Sequence, residues 1–172
     1  KNRQMSAFTN YLSKYSFHDQ LLTAEVDERL GLIVVIPAHD EIELISSISS
    51  LQQCEPPNCT VEVIVVFNAS EISNSDVVSR NEKALENLVA WHKDLSNPTF
   101  KLHCIAENSL PKKHAGVGLA RKIGMDEAIR RFNSIAKDDG VIVCFDADSK
   151  CDNNYLVEIE KHFKKHAKIG AC

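Results

Sequence analysis

The sequence predicts an α/β domain built on a parallel, Rossmann-like sheet flanked by helices, and three observations carry that prediction. Four short apolar runs, Leu32–Ile36, Val61–Phe67, Phe100–Ile105 and Val141–Phe145, are 5 to 7 residues long and rich in Val and Ile. They show little polar alternation, as expected of strands buried on both faces. Segments with helical periodicity lie between them, and strands alternating with helices favour right-handed crossovers and a parallel sheet.

Each element has its own signal. In Glu41–Gln53, Leu44, Ile45, Ile48 and Leu51 recur at helical spacing; in Ser75–Leu95 the stripe is Val77, Val78, Leu85, Leu88, Val89 and Leu95. In Val117–Phe132 it is Ala120, Ile123, Ala128 and Phe132. A last helix is expected from about Asn154 to Lys168, entered through the polar stretch SKCDNN. Residues 1–30 read as a helical lead-in with Phe8, Tyr11, Leu12 and Tyr15 on one face, and residues 31–172 as the main domain. Lys1 in place of an initiator Met suggests a processed or truncated chain, and KIGAC at the end suggests a further strand beginning. An unpaired sheet edge there would favour self-association.

Composition narrows the function classes. With 172 residues, 44% hydrophobic and 26% charged, the chain suits one globular domain. A net charge of -4 and a pI near 6.0 provide no global field for nucleic acid. No apolar run approaches the roughly 18–20 residues of a membrane helix. The six cysteines include Cys54 and Cys59 with no matching histidine pair for zinc, while Cys104 and Cys144 sit in apolar runs. The expectation is reduced thiols in a cytoplasmic protein, with attachment to the membrane's cytoplasmic face left to any sequence beyond this chain.

In an open parallel sheet, ligands bind beyond the carboxyl ends of the strands. The chemistry-bearing residues there are Pro37-Ala38-His39-Asp40-Glu41, Asn68-Ala69-Ser70, the segment from Ala106 to Arg121, and Asp146-Ala147-Asp148. Asp-x-Asp after an apolar strand offers hard oxygen ligands suited to Mg²⁺ or Mn²⁺, which commonly bind one or two carboxylates together with substrate phosphates. A solvated acidic turn explains the same tripeptide. Asp40 and Glu41 suit the start of a helix, where acids favour the dipole. Lys112, Lys113, His114 and Arg121 form a local basic cluster around Gly116 and Gly118, which fits either an anion site or a solvated turn.

Taken together and in order, four segments resemble family 2 glycosyltransferases of the GT-A fold. LIVVIPAHDEIELISSISSL is similar to that family's opening strand and helix, V-V-I-P-x-Y-N-E, and VEVIVVFNAS to its E-V-I-V-V-D-D-G-S. GVGLARKIGMDEAI resembles G-x-x-x-A-R-N-x-G-x-x-x-A at Ala120, Arg121, Gly124 and Ala128, and VIVCFDADSKCDNNYL the strand ending in the metal-binding D-x-D. The resemblance covers residues 31–172. It implies a nucleotide-sugar-binding domain in which Pro37, His39, Glu41, Asn68, Arg121 and Asp146 contact the donor. Asp148, with Asp146, would hold a divalent Mg or Mn. The reaction implied is transfer of a sugar from a nucleoside-diphosphate sugar to a glycan, lipid-linked or small-molecule hydroxyl. The acceptor half and the catalytic base are expected beyond Cys172, so that the isolated chain would be inactive. Donor, acceptor, stereochemistry and oligomeric state stay open.

Some residues depart from the family pattern. Phe67 stands where an acid usually reads the base; a phenylalanine can stack on a base but cannot accept from its N–H, which leaves guanosine and other donors open beside uridine. Lys122 stands where Asn is usual. A haloacid-dehalogenase-type phosphatase also uses Asp-x-Asp, but after its first strand and followed by Thr. A sugar nucleotidyltransferase would carry a Gly-rich loop where this chain reads PAHDEIE. The non-enzyme alternative is a sugar-nucleotide-binding or scaffold domain of the same fold.

Overall fold

In the computed structural model, residues 6–93, 99–167 and 170–171 are described. Four strands, β1 (Leu30–Ala38), β2 (Thr60–Ser70), β3 (Phe100–Leu110) and β4 (Val141–Cys144), form one parallel sheet in the order β3-β2-β1-β4. The helices are α1 (Ala7–Tyr15), α2 (Leu44–Gln52), α3 (Ser75–Lys93), α4 (Val117–Ser134) and α5 (Tyr155–Lys165). Every apolar run expected to be a strand is one, and the first three extend further at their carboxyl ends. Leu95 and Lys168, expected within helices, and Cys172 lie outside the described residues, and Gly170 and Ala171 are not in a strand.

The strand order follows from handedness. From β1 through β2 to β3 the chain steps in one direction, then β4 returns to the far side of β1. A constant right-handed crossover puts helices on opposite faces when that direction reverses. Accordingly α2, α3 and α5 share one face, where Ile48, Leu51, Leu88 and Leu156 pack on Val34, Ile36, Val63, Val65 and Phe67. Helix α4 covers the other, with Ala120, Ile123, Ala128 and Phe132 against Ile33, Val35, Ile64 and Val66. Gly124 permits the close approach, since a Cβ there would lie 2.4 Å from Val35 Cγ1.

The reversal places the switch in strand order between β1 and β4. In such sheets the usual ligand position is the crevice outside the carboxyl ends of the strands at that switch. Among the described residues β4 pairs only with β1.

The described part of the lead-in, residues 6–29, holds a surprise. Helix α1 has no buried residue, and Tyr15 is exposed. The lead-in is held to α4 mainly by polar bonds. Tyr11 Oη and the Phe17 amide donate to Asp126 at 3.0 and 2.9 Å, and the Leu22 amide donates to Glu127 at 2.9 Å. Arg131 donates to the Ala24 carbonyl at 3.0 Å. Phe8, Leu22 and Val26 add apolar packing.

Candidate functional site

Asp146 and Asp148 follow β4 directly. Phe145 and Ala147 are buried while both aspartates are exposed, the alternation that aims two carboxylates outward from one short segment. The Phe145 amide still bonds the Val35 carbonyl at 3.0 Å, and Ser47 Oγ on α2 donates to the Asp146 carbonyl at 3.3 Å. The Ser149 amide closes the turn onto that same carbonyl at 3.1 Å.

Arg121, in the second turn of α4, reaches this segment. Its Nη2 donates to Asp146 Oδ1 at 2.8 Å, with the arginine 33% and the aspartate 64% exposed, so this is a partly screened ion pair. Arg121 Nε is buried and has no hydrogen-bond partner among the described residues. An orphaned buried donor of this kind marks a place that an acceptor can fill. Gly116 caps the start of α4, with a φ of 138° that is accessible chiefly to glycine. Lys112, Lys113 and His114 are exposed on the loop leading there.

Across from this segment, β1 ends in Pro37 and Ala38, and His39 follows it. Pro37 is buried and His39 exposed. His39 Nδ1 lies 2.7 Å from the Asn68 carbonyl, which can only accept, so Nδ1 carries the hydrogen. In the neutral ring Nε2 is then an acceptor. Asp40 adopts a left-handed φ of 53°, a conformation that Asp tolerates better than most residues. Two hydrogen bonds from Arg80 on α3, one of them Nη2 to Oδ2 at 2.7 Å, hold its carboxyl below the usual aspartate value.

Beneath this loop lies a buried amide cluster that the sequence reading missed. Asn81 Oδ1 accepts from the Asp40 amide at 2.9 Å, while its Nδ2 donates to the Asn68 carbonyl at 3.0 Å and to Asn108 Oδ1 at 3.2 Å. Asn68 is itself buried and donates to the Ala38 carbonyl at 2.9 Å. The ends of β1, β2 and β3 are thereby fixed to α3. A signal for this existed: Asn81 falls on the apolar stripe of α3, four residues after Val77 and four before Leu85, where an amide needs buried partners.

The expected site residues thus divide. Arg121 and Asp146 meet directly, with Asp148 two residues on; His39, Asp40 and Glu41 lie together after β1. Pro37 and Asn68 are buried and shape that loop from inside. Glu41 precedes the helix rather than opening it, because α2 starts at Leu44. Phe67 departs from expectation: it is 1% exposed, packed in the core beneath α2 and α3, and presents no face on which a base could stack. Lys122 is also turned away from the crevice, bonded to Asp126 at 2.8 Å. A cleft of about 1030 Å³, lined by Arg29, Cys59, Gly140, Val141 and Lys164, opens at the opposite, amino end of the strands.

The carboxylates suit a metal held jointly with a ligand. Among the described residues no three His, Cys, Asp or Glu side chains converge, so the protein alone offers no closed cage. Mg²⁺ or Mn²⁺ bound through one or two carboxylates and completed by phosphate oxygens asks for no more.

No protein-family model matches the chain, and no curated protein does. Solved structures match it in fold. The crystal structure of S. aureus TarS 1-349 superposes with a TM-score of 0.51 at 16% identity, covering 80% of this chain and 33% of that one. The same protein in complex with UDP-GlcNAc gives a TM-score of 0.52 at 16% identity, with 80% and 32% covered. A longer TarS structure gives 0.51 at 16% identity, with 80% and 20% covered. The chain therefore shares its α/β fold with TarS and spans about a third or less of the TarS structures it resembles.

Proposed function

We propose that the crevice between β1 and β4 binds a nucleoside-diphosphate sugar, and that this chain is the donor-binding part of a glycosyltransferase. The observation that carries this reading is the convergence of Arg121 on Asp146, beside Asp148, at the switch in strand order. Support comes from a similar fold that has been crystallised with UDP-GlcNAc. On this reading His39 and Glu41 face the nucleoside, with the ring Nε2 of His39 as an acceptor toward the base. Arg121 turns its unpartnered Nε and its Nη atoms toward the diphosphate, loosening its hold on Asp146.

Asp148 and Asp146 would hold Mg²⁺ or Mn²⁺. A divalent cation there would neutralise charge developing on the diphosphate as the sugar departs, a contribution of several kcal/mol. The chain's own task is to place the donor: Ser47 fixes the turn carrying both aspartates, and Asn81 fixes the loop carrying His39.

Titration calorimetry with UDP and with UDP-GlcNAc tests the reading. Mn²⁺ is expected to strengthen binding, Asp148→Ala to abolish that enhancement, and Asp146→Asn to weaken it less. Equal affinity with and without metal would remove the metal from the proposal. Failure of uridine and guanosine diphosphates alike to bind would remove the donor site.

A further inference from the structure

Beside the Asp-x-Asp turn lies a pair of cysteines that the donor site does not use. Cys54, just past the end of α2, and Cys151, three residues after Asp148, have their Sγ atoms 3.6 Å apart. They are separated by 97 residues of sequence. The other described cysteines have no such neighbour: Cys59 packs against Gly31, and Cys104 and Cys144 lie in β3 and β4.

The surrounding backbone already holds the two segments together. The Cys151 amide donates to Ser50 Oγ at 3.2 Å, and the Glu55 amide donates to the Asn153 carbonyl at 2.7 Å. Cys54 Sγ also reaches the Asp152 carbonyl at 3.5 Å. A disulfide needs about 2.05 Å between sulfurs. The remaining gap is the scale of a side-chain rotation, with no new encounter of distant chain segments required.

We propose that Cys54 and Cys151 are a disulfide-forming pair, a modification site whose two-electron acceptor is a low-molecular-weight disulfide such as oxidised glutathione. The Cys151 thiolate attacks one glutathione sulfur, forming a mixed disulfide and releasing the first glutathione thiolate. Cys54, giving its proton to solvent, then attacks the Cys151 sulfur and expels the second glutathione. The dithiol loses two electrons and two protons, and oxidised glutathione becomes two glutathione thiols. Burial, followed by the hydrogen bond with Cys151, pushes the Cys54 thiol up to about 11, so mildly alkaline pH favours its thiolate and the exchange. The bond would tie the segment leaving Asp148 covalently to the end of α2. This inference does not depend on what the crevice binds.

The test is peptide mapping of the intact chain after incubation with oxidised glutathione at mildly alkaline pH and blocking of the remaining thiols. The expected product is a monomer that has lost two of its six thiols and carries a Cys54–Cys151 cross-linked peptide. Cys54→Ser should instead retain glutathione on Cys151, and Cys151→Ser should yield no cross-link at Cys54. Six free thiols after prolonged incubation would overturn the proposal. So would stable glutathione on Cys151 of the unaltered chain, or a bond from either residue to another cysteine.

Discussion

The two faces of the sheet are covered by different physics. The face under α2, α3 and α5 is built mostly from apolar contacts, with Phe67, Ile48, Leu51 and Leu88 at its centre. The α4 face combines an apolar strip with charges that are almost fully buried: Asp126, Glu127 and Arg131 on α4, and Glu62 in β2. Each is matched. Lys122 and the Tyr11 hydroxyl serve Asp126, Arg130 and the Leu22 amide serve Glu127, and Arg131 pairs with Glu62, with His103 Nε2 3.4 Å from the same carboxylate.

Apolar packing tolerates variation provided volume is kept, whereas a buried ion pair fails abruptly when one member is removed. The α4 face is therefore the more demanding of the two. It is also the one that orients Arg121 toward the crevice.

The largest effect that can test this contrast is Glu62→Ala. It strands Arg131 beside His103 without a counter-charge and should cost about 3–5 kcal/mol in urea unfolding. The double variant Glu62→Leu/Arg131→Met should recover most of that loss, because it removes both charges. A single variant as stable as the parent would mean that solvent reaches the pair. On the opposite face, Ile48→Val should cost only about 0.5–1.5 kcal/mol. A loss equal to that of Glu62→Ala would erase the distinction between the faces.

The smallest effect is in pH. Burial raises the Glu62 carboxyl, but the His103 ring 3.4 Å away and the hydrogen-bonded Arg131 guanidinium outweigh it and leave Glu62 below its ordinary value of 4.5. A carboxylate depressed in the folded state contributes stability that is complete above its unfolded value and lost as pH falls through its folded one. Stability should therefore decline below about pH 4.5. Glu160, on the other face, is depressed too: burial opposes this, and Lys164 and Asn58 prevail. Comparing the acid limb of Glu62→Gln with that of Glu160→Gln assigns the shares. An unchanged acid limb in Glu62→Gln would place its charge outside the balance.

Local pattern was enough for much of this protein. The Val- and Ile-rich runs specify strands because β-branched side chains suit a pleated, doubly covered sheet, and the three- and four-residue spacings specify the helices that cover it. Element order with a fixed crossover hand then brings the segments after β1 and β4 to one crevice, so His39, Asp40, Asp146 and Asp148 could be singled out in advance. Gly124 was visible as a motif position, and its contact with Val35 supplies the reason.

Tertiary structure decided the partners. Phe67 follows the alternation of β2 into the core, a direction that motif matching alone did not supply. Glu62 interrupts an apolar strand, and nothing nearby in sequence announces Arg131, 69 residues away, as its counter-charge. Lys122 and Asp126 lie one helical turn apart on α4, and only the packed lead-in brings Tyr11 and the Phe17 amide to that carboxylate. Asn81 links loops whose sequence positions are far apart, and Cys54 meets Cys151 across 97 residues. Periodicity is a property of neighbouring residues along the chain and can be read from it. Hydrogen bonds and ion pairs act over about 3 Å in space, so which groups satisfy one another is settled only when the packed elements bring them together.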